Sequence, residues 1–530
     1  MTEPPSDDGL RRALEKRLGP EKVRTDLATR REYSTDASPC VVEPRAVVMA
    51  TSEGDVLEVL SISRKLGVPL TPRASGTSLS GAAVGPGVVL DTTGMRRVLA
   101  FDAEQRSVRV EPGILLTELN GFLREKGLRF APDPGSQDLC RIGGMVGHNA
   151  SGYRSVKYGQ TKDHVLSLRV ALLDGYIVDA HDVPISGEEW RALTAQVPAF
   201  ETIRRTIEAA GPEILQARRP IRKHACGYDV FSIANGLARG IFPLTSLFIG
   251  SEGTLGVVTE VTLRVIPIAR RSVTLLFYLE RFEDLGPVVA EVLLEGPSAM
   301  EAIDGGSLRL LDRQALGVPE SAQAMLLVEF DAGNIDAIAK AVTQRIRGRY
   351  ALSRSVEVAT DSDRQAELWR VRRSLFPTII RRPGSRKAWG FVEDPIVPPD
   401  RVPEFIVFLD DLAKRHGTEA GIYGHIGDGN THYRPFFDPT DPTDFERMGA
   451  LRAEFDDAVL DRFHGAPSGE HGIGRIRAEV LPRVWGPTVY RTMQAIKEAF
   501  DPRSLLNPGV LLSTEPWWTT WGGLESRTPM

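Results

Sequence analysis

The chain has 530 residues, with 65 lysines and arginines against 70 aspartates and glutamates and a net charge of −5; this suits about two to four domains' worth of core and lacks the basic excess of a nucleic-acid binder. Three cysteines (Cys40, Cys140 and Cys226) stand far apart with no C-x-x-C, which excludes a disulfide framework and a self-contained iron–sulfur cluster and suits a reducing cytoplasm. No run reaches the ~18 apolar residues of a membrane span, and the opening Met-Thr-Glu-Pro-Pro lacks the features of a secretion signal, so a cytoplasmic enzyme is expected.

In chain order, Leu10 to Leu18 reads as a short amphipathic helix ended by Gly19-Pro20. Ala46 to Ala50 reads as a buried strand, and Ser52 with Asp55 as the start of a helix closed by Gly67. Between the apolar runs Val68-Pro-Leu70 and Val88-Val-Leu-Asp91 lies the loop Thr71-Pro-Arg-Ala-Ser-Gly-Thr-Ser-Leu-Ser-Gly81, with Gly85-Pro-Gly87 behind it. Gly76 and Gly81 let the backbone turn N–H groups inward, Ser75, Thr77, Ser78 and Ser80 add hydroxyl donors, and Arg73 adds a fixed charge. By itself this is either an anion nest suited to a diphosphate or a polar surface loop. It is neither a Rossmann fingerprint nor a Walker loop.

Strands are expected near 88–91, 97–101 and 107–111, and a helix over 115–126. A second nest-like stretch follows: Asp133-Pro-Gly-Ser136, then Ile142-Gly-Gly-Met-Val-Gly-His-Asn-Ala-Ser-Gly152, then Tyr158-Gly159. Val165 to Leu173 and Tyr176 to Asp179 form a hairpin across Asp174-Gly175. Ile249-Gly-Ser-Glu-Gly-Thr-Leu-Gly256 leads into the strand-like Val257 to Leu263.

Near residue 270 a new alternation begins. Strands are expected over 272–279, 325–331 and 355–359, and helices over 282–294, 336–348 and 361–376. The tail Glu515-Pro-Trp-Trp-Thr-Thr-Trp521 is expected to dock on its own protein. The chemistry concentrates in Tyr423-Gly-His-Ile-Gly-Asp-Gly-Asn-Thr-His-Tyr-Arg-Pro435 and Ser468-Gly-Glu-His-Gly-Ile-Gly474. A turn at Gly427-Asp-Gly429 would bring His425 and His432 to one point, and two histidines with Glu470 suit a first-row metal used as a Lewis acid.

These segments resemble a known family. The loop over 71–81, the Gly143-Gly144 to Gly152 run and the 249–263 segment match, in order, the flavin-contacting segments of the vanillyl-alcohol-oxidase type of FAD-binding domain. Gly424 to His432, Glu470 to Gly474 and the closing Asp501 to Pro508 resemble the FAD-linked D-2-hydroxy-acid dehydrogenases, which act on D-lactate, glycolate or D-2-hydroxyglutarate. The resemblance spans roughly residues 30–512.

It implies an α+β fold: an N-terminal helical segment (1–42), a two-subdomain FAD-binding domain (43–269), a substrate or cap domain with an antiparallel sheet (270–465), and a C-terminal segment returning to the flavin site (466–530). It implies FAD held without a covalent bond, since the first nest has no His or Cys and the nearest are His148 and Cys140. The residues it implies for FAD are Arg73, Ser75, Gly76, Thr77, Ser78, Gly81, Asp133, Gly135, Ser136, Gly143, Gly144, Asn149, Ser151, Gly152, Tyr158, Glu252, Gly256, Val258 and Asn507.

By the same resemblance His425, His432 and Glu470 are metal ligands for zinc or manganese, His471 is the base, and Arg372 binds the substrate carboxylate, with Arg434 a second candidate. Electrons would pass to a quinone, a cytochrome, an electron-transfer flavoprotein or a separate iron–sulfur subunit, with peripheral attachment to the inner membrane through such a partner and a homodimer both compatible. Two departures leave substrate and acceptor open. Arg434 stands where D-2-hydroxyglutarate dehydrogenases carry Asn, and Phe391 to Asp400 looks like flavin domains fused to iron–sulfur domains. An oxygen-using oxidase and a non-catalytic relay subunit are the rival readings. The ether-lipid synthase branch ranks lower, because its His-His pair is not seen.

Overall fold

The computed structural model describes residues 5–522. Three sheets organise them. In the first, Ala46–Met49, Val88–Asp91 and Leu70–Arg73 run parallel and Val23–Arg24 pairs antiparallel at one edge. Ala46, Val47 and Val48 and the whole of Val88–Asp91 are buried, as parallel strands covered on both faces must be. The helix Glu53–Leu66 packs on this sheet. The Ser52 hydroxyl accepts from the Asp55 N–H at its start, and Gly67, at φ 66°, ends it in the left-handed conformation.

The second sheet is antiparallel, in the order Val98–Asp102, Ser107–Val110, Val257–Arg264, Val165–Ala171, Ile177–Ala180. Residues of Val257–Arg264 alternate between buried and part-exposed, which fits a sheet with one face on a core. Helices gather around it, among them Ala199–Ala209, Val230–Leu237 and Gly486–Phe500.

The third sheet has seven antiparallel strands: Glu357–Ala359, Val273–Leu279, Ala324–Phe330, Ala299–Asp304, Ala420–Gly424, His432–Phe437 and Lys387–Ala388. Val273–Leu279 and Ala324–Phe330 are buried throughout, because helices cover both faces. One of these, Ser362–Ile380, carries Arg372 and Arg373. The mixture of helices with antiparallel sheets makes the protein α+β.

One difference from the sequence reading matters, and the tail docks on its own protein as expected. Half of the second nest, Ile142–His148, is a helix, because Ile142, Met145 and Val146 find a core to bury in. The tail returns to the N-terminal segment and the third-sheet core. The Val41 N–H donates to the Thr520 carbonyl at 2.7 Å, Trp521 is fully buried, and Trp517 stacks on Phe391 at 5.3 Å. No described helix is long and apolar enough to cross a membrane.

Candidate active site

A cavity of about 570 Å³ opens where the three sheets meet, within the range of ligand and cofactor pockets. One wall is the first loop with Arg73, Ser75, Gly76, Thr77 and Ser78. The second segment contributes Gly135, Ser136, Gly143, Gly144 and Ser151, and the third Glu252, Gly256 and Val258. The far end is closed by Arg372, His425, His432, Glu470 and His471. Thus the structure brings most of the expected flavin residues, the expected ligands and one expected anchor onto a single cavity.

Six of the expected flavin residues do not line it. Asn507 lies behind the wall, donating to the carbonyls of Ala82 and Glu252 at 2.8 and 2.7 Å and so tying the first nest to the third segment. Gly81, at φ 79°, packs so closely on Cys40 that a β-carbon would sit 2.6 Å from its sulfur. Asn149 ends the helix at φ 53° and accepts from the Lys162 N–H. Gly152 passes against the backbone of Asp133, Asp133 pairs with Arg154 at 2.6 Å, and the Tyr158 hydroxyl donates to Asp331 at 2.6 Å.

The cradle fits a flavin nucleotide. A β-carbon at Gly147 would meet nothing within 4 Å, so a side chain there would stand in the cavity itself. Arg141 also lines it, donating from Nε to Ser75 Oγ at 3.0 Å, so a guanidinium sits against the hydroxyl-rich loop.

At the far end, three imidazoles converge on one carboxylate oxygen. The distances to Glu470 Oε1 are 3.0 Å from His425 Nε2, 3.5 Å from His432 Nε2 and 3.3 Å from His471 Nε2. Backbone geometry places them. Strand Ala420–Gly424 ends in a turn at Ile426–Asp428, with Gly429 at φ 81°, and the chain returns as His432–Phe437. A β-carbon at Gly429 would lie 2.1 Å from the Val397 carbonyl, so only glycine closes this turn.

Each ring's other nitrogen faces a buried carboxylate: His425 Nδ1 lies 2.6 Å from Glu301, His432 Nδ1 3.1 Å from Glu393, and His471 Nδ1 2.6 Å from Glu393. Carboxylates behind imidazoles are the outer support of metal sites. Asp394 belongs to the same tight cluster with His432, Glu470 and His471. Its Oδ2 accepts from Ser468 Oγ and from the N–H groups of Glu470 and His471, and its Oδ1 from Asn430 Nδ2, so it also shapes the loop. The converging donor set therefore fits a divalent ion at Glu470 Oε1 with His425 and His432.

Burial alone would push the His425 imidazole down, but Glu301 and Glu470 outweigh it and raise it to about 9. Burial opposes His471 likewise, and Glu393 and Asp394 hold it well above the usual range. Glu393 and Glu470 are held well below the carboxylate range despite burial, Glu393 by His471 and Arg434 and Glu470 by His425 and Lys223.

The two candidate anchors separate. Arg372 donates from Nε to Glu301 at 2.8 Å and lies over the Tyr423 ring at 4.9 Å; its two Nη groups make no protein hydrogen bond among the described residues. Arg434 does not line the cavity. It lies 3.2 Å from Glu393 and over Phe376 at 4.8 Å. Sequence reasoning missed Glu301, Lys223 and the supporting role of Glu393. The signal for Glu301 was a carboxylate inside the apolar strand Ala299–Asp304, where an unpaired charge would be costly.

Residues 44–181 match the FAD binding domain family, and residues 268–511 match the family of FAD linked oxidases, C-terminal domain. The chain belongs to the FAD-linked oxidases. It is therefore an FAD-dependent oxidoreductase. Glycolate oxidase subunit GlcD of Bacillus subtilis (strain 168) is 29% identical over 505 residues, covering 94% of this chain and 95% of the relative. D-2-hydroxyglutarate dehydrogenase of Pseudomonas putida is 30% identical over 541 residues, covering 96% of this chain but 52% of the relative, so the chain spans about half that protein's length. Among solved structures, p-cresol methylhydroxylase with substrate bound superposes with a TM-score of 0.67 at 16% identity, covering 95% of this chain and 96% of that one; this likeness concerns the fold.

Proposed function

We propose that this FAD-linked oxidase family member oxidises a D-2-hydroxy monocarboxylate, of the D-lactate or glycolate class, to the 2-oxo acid. The observation that carries the reading is the convergence of three imidazoles and Glu470 on one point beside the free Nη groups of Arg372, inside the cavity built by the flavin segments. The names of two relatives, a glycolate oxidase subunit and a D-lactate dehydrogenase, support it.

In this reading Arg372 grips the substrate carboxylate with a fork that lysine cannot offer. When bound, FAD supplies a hydride acceptor, and a divalent ion held by His425, His432 and Glu470 supplies Lewis acidity toward the substrate oxygens. His471 Nε2 takes the hydroxyl proton, and Glu393 on Nδ1 fixes the ring so that Nε2 points inward. Tyr153 and Tyr423 flank Arg372 and keep it from swinging away from the cavity.

Arg434, the second expected anchor, lies 3.2 Å from Glu393 and outside the cavity lining, which supports one carboxylate over two.

Electrons then go to an acceptor other than dioxygen. The test is a screen of D- and L-2-hydroxy acids with an artificial dye acceptor, beside oxygen consumption and elemental analysis. Turnover of D-lactate or glycolate with dye, little oxygen uptake and one divalent ion per chain is expected. Full activity after exhaustive chelation, with no metal found, would remove the metal from the reading.

A further inference from the structure

Lys223 is 5% exposed and lies where three parts of the chain meet. Its Nζ donates to Ser151 Oγ and Ser155 Oγ, both at 2.9 Å, and lies 3.3 Å from Asp428 Oδ2 and 3.8 Å from Glu470 Oε2. The two hydroxyls pass hydrogen bonds onward, Ser151 to Glu470 Oε2 at 2.7 Å and Ser155 to Asp428 Oδ2. A buried ammonium is tolerated only with such a set of partners. Here the partners belong to a flavin-side segment, to the turn between His425 and His432, and to the loop bearing Glu470.

The arrangement gives the two oxygens of Glu470 different surroundings. Oε2 is held by Ser151 on the Lys223 side, and Oε1 alone faces the three Nε2 atoms. A carboxylate can give a divalent ion one oxygen or two, and the second oxygen would take a position that a substrate needs. We propose that Lys223 is a positioning residue which, through Ser151, keeps Glu470 a one-oxygen ligand and so leaves a coordination position for the substrate. The proposal rests on the metal-assisted reading above. The same ammonium anchors Asp428, so one side chain fixes both ligand runs to the flavin-side segment.

The test uses the holoenzyme and the variants Ser151→Ala, Lys223→Met and the double variant. FAD and metal per chain, KM and kcat with D-lactate, and the visible spectrum of the Co(II)-substituted enzyme with and without oxalate are measured. Cobalt bands weaken as the coordination number rises, a change that a merely structural role would not produce. Expected are retained FAD and metal, a KM raised about tenfold or more with a smaller change in kcat, and weaker cobalt bands before oxalate is added. The double variant should be no worse than the worse single, because both act on the same oxygen. Variants with the wild-type KM and cobalt spectrum, or variants that lose the metal outright, would overturn the proposal. If Lys223→Met does not fold, Ser151→Ala decides alone. A wild-type enzyme without metal would defeat the metal-assisted reading itself, whereas a metal-loaded wild type with unchanged variants defeats only the role of Lys223.

Discussion

Arg372 faces the cavity with two unbonded Nη groups while Glu301 holds its Nε, so its substrate contact depends on the planar fork. Arg372→Lys keeps the charge and loses the fork, and kcat/KM for D-lactate should fall about 30-fold or more. Arg434 instead backs Glu393, which in turn supports His432 and His471. Arg434→Lys should therefore impair D-lactate and D-2-hydroxyglutarate to the same degree. A loss confined to the diacid would show that Arg434 reaches the substrate. The sequence did not separate the two arginines, because both follow apolar or aromatic neighbours and the partners that distinguish them, Glu301 and Glu393, are distant in the chain. The histidines were legible because imidazoles between glycines are poorly explained as core filling. Glu301 and Lys223 were not, since each is a single charge whose partners appear only on folding.

At the scale of elements, the helix Ile142–His148 and the turn at Glu252 shape the flavin wall. Gly147 is helical with open space beyond it, so Gly147→Leu should change stability by no more than about 1 kcal/mol while abolishing FAD binding. Flavin content and thermal unfolding of the purified variant check this; a variant that still binds FAD would place the flavin elsewhere. Glu252 sits at φ 50° and accepts from the N–H groups of Ile473 and Gly474. Burial raises it to about 8, with those N–H groups opposing. The protonated form is favoured by folding, so its stabilisation is full below the unfolded value of about 4.3 and fades as pH rises through about 8. In the flavin-free protein, Tm should fall from pH 5 to pH 9, and Glu252→Gln should flatten that slope. Equal slopes would contradict the assignment. Helices and strands with local punctuation, such as Ser52 to Gly67 or the hairpin at Asp174-Gly175, were legible. The helix at Ile142 was not, because its glycines lower helix propensity and only the buried Ile142, Met145 and Val146 overcome that.

At the scale of the whole molecule, the chain closes on itself. Trp521 is buried against the N-terminal segment, and Trp517 stacks on Phe391, two residues before Glu393. Trp521→Ala should destabilise the protein by about 3–5 kcal/mol, and a Tm equal to wild type would argue against this docking. The two-part plan was readable from motif order, because three flavin segments precede two ligand runs. The meeting of those parts at Lys223 was not, since it joins segments that are adjacent only in the folded chain. The central claim is that a D-2-hydroxy monocarboxylate reduces the flavin at a metal-assisted site. Anaerobic mixing of the holoenzyme with D-lactate, glycolate and L-lactate, followed by flavin absorbance, tests it most directly. Bleaching by D-lactate or glycolate but not by L-lactate, lost after chelation and restored by zinc or manganese, is the expected result. A metal- and FAD-loaded enzyme whose flavin stays oxidised with every D-2-hydroxy acid and with glycolate would contradict the account.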